Sequence, residues 1–283
     1  MEKIILYYKF VPVPDPETAM CWQRDLCKSL GLKGRIIISK HGINGTLGGD
    51  IKNVKSYVKA MNQHSFFKDI EYKWSDGGVD DFPRLSVKVR DELVTLAPGE
   101  EFDVFNSTKG LRPKQWHEYL EAHPDVIVLD ARNGYESDVG VFDVKNLVAP
   151  KINAFKEIKK ELEKLPKDKT ILTYCTGDIR CEYLSAYMRH KGFQDVYHLD
   201  GGIVKYGEAF KDEGKWKGKC FVFDKRMGLA FSDKSEDIGH CSHCNALTSR
   251  FVNCEEMSCH DLVLVCEACA DKVKTRCNVH VQV

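Results

Sequence analysis

The residues best suited to chemistry stand together in Cys175-Thr176-Gly177-Asp178-Ile179-Arg180. A thiol acts as a nucleophile or sulfur carrier only as the thiolate. Four residues separate Cys175 from Arg180, which brings a permanent cation close to the sulfur. TILTYC reads as a strand, and the stretch running on to Phe193 as an amphipathic helix. A strand therefore delivers Cys175 into a short loop closed by a helix start. There, converging loop N–H groups and the helix's partial positive charge favour an anion. On these residues alone a structural cysteine at a strand end is the competing reading. Cys181 is a packing residue or a resolving thiol for Cys175. Upstream, Asp130 and Arg132 end the buried run VIVLDAR; such a pair more often braces a loop than transfers protons.

The second cluster lies near the C-terminus. Of twelve cysteines, seven fall between Cys241 and Cys277, and in a reducing compartment such crowding argues for metal. Two C-x2-C knuckles, Cys241/Cys244 and Cys266/Cys269, predict one tetrahedral zinc site. Cys254, Cys259, Cys277 and His280 form a less regular second set, in which His243 or His260 could substitute. Zinc, one or two ions, is the expected cofactor, with free thiols or air-formed disulfides as alternatives. No organic cofactor is evident: a dinucleotide fingerprint and a Gly-rich phosphate loop are both missing.

Composition narrows the remaining classes. The 283 residues carry 42 Lys plus Arg against 42 Asp plus Glu, so a nucleic-acid partner needs a local basic patch. Lys215, Lys217, Lys219, Lys225 and Arg226, interleaved with Trp216, Phe221 and Phe223, offer one. No apolar run suits a membrane span and no leader pattern opens the chain, which predicts a cytoplasmic protein. No obligate protein partner is evident.

Three units must position these residues. Residues 1–100 read β-α-β-β-α-β-β, an α+β ferredoxin-like or acylphosphatase-like domain with Asp50 as a helix cap. Residues 110–214 alternate strands and helices, including INAFKEIKKELEKL, which predicts an α/β domain with a parallel sheet. Chemistry in such sheets sits at the carboxyl ends of the strands, where Asp130, Arg132 and Cys175 fall. Residues 213–220 read as a basic, glycine-bearing linker. Residues 215–283 are too few and too polar for a large core and need a metal staple.

CTGDIRCEYLSAYM, LDARNGYE and HLDGGI together resemble a rhodanese domain, whose six-residue active loop begins with the cysteine matching Cys175. The loop is one residue shorter than the C-x5-R of cysteine phosphatases, which suits sulfur or a small oxyanion. FVPVPDPETAM, LKGRIIISKHGINGTLGG and FVFDKRMG extend the match in order along nearly the whole chain. In that order the sequence resembles the bacterial rhodanese-fold tRNA wobble-uridine hydroxylases. The resemblance implies tRNA as substrate, 5-hydroxyuridine as product, molecular oxygen as co-substrate and Cys175 as the essential thiol. Two positions depart from the family pattern: Gly177-Asp178 replaces Gly-Gly, and Gly140-Val141-Phe142 replaces Gly-His-Phe. A carboxylate at Asp178 is expected to oppose thiolate formation and crowd the loop. The other function classes are a persulfide-carrying sulfurtransferase and a non-catalytic RNA- or protein-binding module. The enzymatic readings require an ionised sulfur in a cup of backbone amides with a path to solvent.

Overall fold

The computed structural model describes residues 1–277 except 257, 260, 271, 273, 274 and 276. The N-terminal unit comprises β1 (Glu2–Phe10), α1 (Pro16–Ser29), β2 (Lys33–Ser39), β3 (Gly42–Asp50), α2 (Ile51–Gln63), β4 (Lys73–Asp76) and β5 (Leu85–Val89). Its sheet runs β4-β1-β3-β2-β5, antiparallel except for the β2–β5 pair. Both helices start on side-chain caps: Asp15 accepts from Thr18 N at 3.0 Å and Asp50 from Lys52 N at 2.9 Å. Val54, Tyr57 and Met61 share one face of α2 and are buried. The glycines of SKHGINGTLGG serve close packing. A Cβ on Gly42, at φ +140°, would meet Lys9 O of the neighbouring strand at 2.0 Å.

The middle unit holds β6 (Gly110–Leu111), α3 (Pro113–Ala122), β7 (Ile127–Asp130), α4 (Gly134–Ser137), β8 (Gly140–Phe142), β9 (Leu147–Val148), α5 (Ile158–Leu162), β10 (Ile171–Tyr174), α6 (Ile179–His190), β11 (Val196–Leu199) and α7 (Gly202–Phe210). Its five-stranded sheet runs β6-β11-β10-β7-β9, all parallel. All four residues of β10 are buried, as expected for a strand covered on both faces. One core packs α5 and α6 against the sheet; the other packs α3, α7 and Trp216.

Two helices differ from the sequence pattern. The expected INAFKEIKKELEKL helix reduces to one 3-10 turn and α5, because only Ile158 and Leu162, one i, i+4 pair, reach the core within α5. Helix α6 is not amphipathic: eight of its twelve residues are buried. Its outer face is covered by the segment after β5, where Tyr183 Oη donates to Glu92 Oε1 at 2.9 Å and Phe102 packs edge-on against Tyr183 and Tyr187.

The expected linker also contains a strand. β12 (Trp216–Gly218) pairs antiparallel with β8, placing Lys217 opposite Val141 and burying Trp216. Beyond it come the hairpin β13 (Phe251–Asn253) and β14 (Leu262–Leu264) and the single turn α8 (Glu267–Ala270).

Candidate active site and metal centres

Cys175 follows the last residue of β10, and α6 begins four residues later. The chain turns between them with Asp178 at φ +85°, which aims the Asp178 N–H at Cys175 Sγ, 3.2 Å away. The loop's carbonyls are held from the other side. Ile203 N and Val204 N, at the start of α7, donate to Cys175 O (2.9 Å) and Thr176 O (3.1 Å). Gly202, at φ +67°, admits this approach, since a Cβ there would lie 2.6–2.8 Å from Thr176 O, Cys175 O and Asp178 N. The HLDGGI glycines thus shape the thiol loop from a distant strand end.

Burial pushes the Cys175 thiol up. Cys181, which donates to its sulfur, and the charge of Arg180 more than reverse this, Asp178 opposes them, and the net is down to about 6. Cys181 itself is held well above the usual thiol range by burial and by Cys175.

Arg180 is fixed by a residue that sequence reasoning did not single out. Glu136, on α4, takes Nη1 at 2.6 Å and Nη2 at 2.7 Å, and Thr176 Oγ1 donates to its Oε2 at 3.2 Å. The available signal was Asn133-x-x-Glu136, a capping-box spacing; Glu136 Oε1 indeed accepts from Asn133 N at 3.1 Å. Planar bidentate pairing holds the guanidinium in one pose.

Asp130 and Arg132 lie one layer deeper, both at 0% exposure. Asp130 accepts from Arg132 Nε (2.8 Å) and Nη2 (2.6 Å), Ser137 Oγ (2.8 Å) and Tyr174 Oη (2.7 Å). Arg132 further donates to the carbonyls of Glu136 and Gly140. The pair therefore ties β7, α4, β8 and β10 together, and neither side chain reaches solvent.

Asp178 departs from the expected crowding. Its carboxylate binds His198 Nδ1 (2.7 Å), Tyr8 Oη (3.0 Å) and Gly201 N (3.1 Å). Burial disfavours the His198 cation, but Asp178 and then Glu182 outweigh it and raise the ring to about 9. The carboxylate's field still opposes the thiolate, yet a cation faces it. Because the folded pKa of His198 lies above its ordinary value, the pair's contribution to stability is complete below about pH 6.5 and is lost as pH rises through about 9.

The expected path to solvent is closed. Cys175 is 1% exposed, because the N-terminal sheet lies on the loop. Tyr8 reaches Asp178 and, at 2.7 Å, Glu182 Oε2; Lys73 Nζ donates to Gly177 O at 3.1 Å; and a Cβ on Gly177 would meet Leu6 at 2.7 Å. Tyr8, Lys73, Leu6 and His198 were also missed by sequence reasoning.

One prediction follows from the bidentate pair. Arg180→Gln combined with Glu136→Gln removes the cation without stranding its buried partner. Burial and Asp178 are then opposed by Cys181 alone, and the Cys175 midpoint rises from about 6. Peptide-resolved alkylation against pH, compared with wild type at the same reagent and exposure time so that opening of the cover is common to both, reads the shift; an unmoved midpoint removes Arg180 from the account.

The C-terminal sulfurs gather as their spacing predicts. Cys241, Cys244, Cys266 and Cys269 lie within 4.8 Å of one another, and so do Cys254, Cys259 and Cys277. The sulfurs of Cys244 and Cys266 stand 3.5 Å apart and those of Cys259 and Cys277 3.7 Å. Four thiolates about 2.3 Å from a tetrahedral zinc stand roughly 3.8 Å apart, so the first set fits such an ion. His280 and His260 lie outside the described residues, and His243 is exposed and outside both groups.

Comparison with known proteins covers all three units. Residues 2–93 match the model of the UPF0176 acylphosphatase like domain, 113–209 the rhodanese-like domain and 217–281 the rhodanase C-terminal family. The chain is 50% identical to a Pseudarthrobacter chlorophenolicus protein over 98% of its own length and 97% of the relative's. It is 47% identical to a Corynebacterium urealyticum protein over 97% and 95%. Both are named tRNA uridine(34) hydroxylase. Among solved structures, a rhodanese-like domain from Anabaena sp. is 20% identical over 39% of this chain and 80% of that one, with a TM-score of 0.33.

Proposed function

The chain belongs to the tRNA uridine(34) hydroxylase family, and from that membership we propose that it hydroxylates C5 of the wobble uridine through Cys175. The observation that carries the role of Cys175 is the placement of its sulfur, at the carboxyl end of β10 on the Asp178 N–H and beside an arginine clamped by Glu136, surroundings that hold the thiol below its usual range. The anticodon-loop base is already unpaired, so no duplex must be opened to present it.

In this reading the thiolate adds to C6 of uracil. The C5–C6 double bond becomes an enolate across C5, C4 and O4, and Arg180 with the loop N–H groups offsets the charge that develops. C5 then takes one oxygen atom from molecular oxygen. Loss of the C5 proton and expulsion of the thiolate restore the double bond. Atoms and electrons balance when the second oxygen leaves as water, with two electrons and two protons from an external reductant. Asp130 and Arg132 position the loop and take no part in proton transfer.

A base cannot reach a sulfur that is 1% exposed. Entry therefore requires the N-terminal sheet to lift from the loop, breaking the contacts of Tyr8 and Lys73 described above. Residues 1–100 act as the cover, 110–214 as the chemical unit and 215–283 as the metal-held unit. We assign zinc to both sulfur clusters, where it acts as a structural staple. Among the described residues no helix is long and apolar enough to cross a membrane; a tRNA substrate places the work in the cytoplasm.

Nucleoside mass spectrometry of tRNA from cells lacking this protein, with and without the chain restored, tests the assignment. Restoration returns 5-hydroxyuridine to the tRNA pool. A pool that stays unmodified with the chain expressed and folded refutes it.

A further inference from the structure

Few large apolar side chains among the described residues stay in solvent, and one of them lies over Arg180. Phe223 is 52% exposed, and Arg180 Cζ lies 5.7 Å from the centre of its ring. The ring is braced from behind. Phe221, buried, meets it edge-on with centroids 5.2 Å apart, and Phe221 in turn packs edge-on against Tyr135 at 5.2 Å and Phe251 at 5.3 Å. Arg180 is equally fixed, by Glu136. Phe223 is thus a braced aromatic ring, half exposed, beside the arginine that lowers the Cys175 thiol.

Two residues further on, at Lys225, begins a groove of about 1040 Å³ between the β12 connection and the metal-binding unit. Its lining carries Lys219, Lys225, Arg226 and Arg250 against Asp237 and Glu267. Lys219 is spent on Asp237 and Arg226 on Asp224. Lys225 and Arg250 make no ion pair among the described residues and are exposed. Arg250 Nη1 donates to Val265 O at 3.5 Å, which leaves its charge unpaired; an exposed aromatic face followed by cations without a carboxylate partner is the arrangement that holds single-stranded nucleic acid, with stacking for the bases and charge for the phosphates.

We propose that Phe223 is the platform on which a base of the single-stranded anticodon loop stacks as the uridine enters the Cys175 loop, with the strand's phosphates passing Lys225 and Arg250. This assignment rests on the tRNA substrate proposed above. An aromatic face accepts any base, so Phe223 supplies affinity and placement near Cys175, while the choice of uridine is made deeper in the loop.

The probe is an unmodified anticodon stem-loop RNA with uridine at the wobble position, titrated into the full zinc-loaded chain. Phe223→Ala weakens binding by about 10-fold or more. Phe223→Trp and Phe223→Tyr restore it. Phe223→Leu, which keeps apolar bulk over Arg180 but has no aromatic face, fails as Phe223→Ala does. Lys225→Ala and Arg250→Ala each flatten the salt dependence by about 0.7 in log–log slope per phosphate lost. The alkylation midpoint of Cys175 stays near 6 in the Phe223 variants, separating loss of a platform from loss of the loop. A leucine variant that binds like wild type, or a wild-type chain that does not bind the RNA, overturns the platform. Wild-type binding without 5-hydroxyuridine in restored cells refutes the hydroxylase reading and leaves the Phe223 comparison to be judged on affinity. Full product and affinity in Phe223→Ala refute the platform alone.

Discussion

Serine in place of Cys175 leaves the chain folded and metal-loaded but lowers the rate of hydroxylation by about 10³-fold or more, so that tRNA from cells carrying the variant shows no 5-hydroxyuridine. Most of what holds this loop runs through its backbone: Ile203 N and Val204 N donate to Cys175 O and Thr176 O. Serine keeps those bonds and can still accept from Asp178 N–H. What it cannot keep is the anion. The surroundings bring a thiol from 9.0 to about 6; a displacement of that size leaves an alcohol protonated at any pH the fold tolerates. Activity of the native chain should fall for the same reason as pH drops through about 6, where the thiolate takes up its proton. Nucleoside mass spectrometry, with thermal melting and a zinc count on the same variant, decides the matter. Undiminished product from a folded serine variant sinks nucleophilic catalysis at this position. Loss of a persulfide mass on residue 175, with 5-hydroxyuridine unaffected by the substitution, would instead mark a sulfur carrier.

The thiol loop was legible because its signals are local. A strand, six residues and a helix start are contiguous, and so are the cysteine knuckles. The partners of the loop were not legible, because they arrive from far away in sequence. Glu136 lies 44 residues from Arg180, and Tyr8 lies 170 from Asp178. Glu136 carried a trace of its position in the N-x-x-E cap; Tyr8 and Lys73 carried none, since strand alternation does not say which surface a strand will cover. The same blindness made α6 look amphipathic: its outer face is apolar enough to be covered, and what covers it is the segment around Glu92 and Phe102. Asp178 misled in the opposite way. Judged by charge alone it opposes Cys175, but only the fold brings His198 and Gly201 N to its carboxylate. The departure from glycine at a position with φ +85° is thereby accompanied by a buried ion pair.

Stripping the metal should unfold the C-terminal unit while the other two stay intact, and the chain should bind two zinc ions before treatment. The interior of this unit is largely sulfur: Cys241, Cys254, Cys266 and Cys277 are buried beside Val263 and Val265, with Cys259 and Cys269 partly buried around them. Two valines beside the sulfurs and a small aromatic cluster of Phe221 and Phe251 on the hairpin's other side make a slight apolar core against the chain entropy of ordering such a segment. Zinc binding to knuckles of this kind is worth about 10–16 kcal/mol at neutral pH, so the ion supplies most of what holds the segment. Cys244→Ser should therefore lower the count from two ions to one and release hydrogen-exchange protection in Phe251–Asn253 and Leu262–Leu264, while Ile171–Tyr174 stays protected. The unit is also coupled to the substrate path. Phe251 packs on Phe221, and Phe221 holds Phe223 upright. Loss of zinc should thus cost RNA affinity with the Cys175 alkylation midpoint little changed, because Cys181 and the Glu136-clamped Arg180 that lower the thiol both belong to the middle unit. A chelated chain that keeps its hairpin protected shows that the sulfurs pack as ordinary core thiols, and a midpoint that moves with zinc shows that the two sites are not independent.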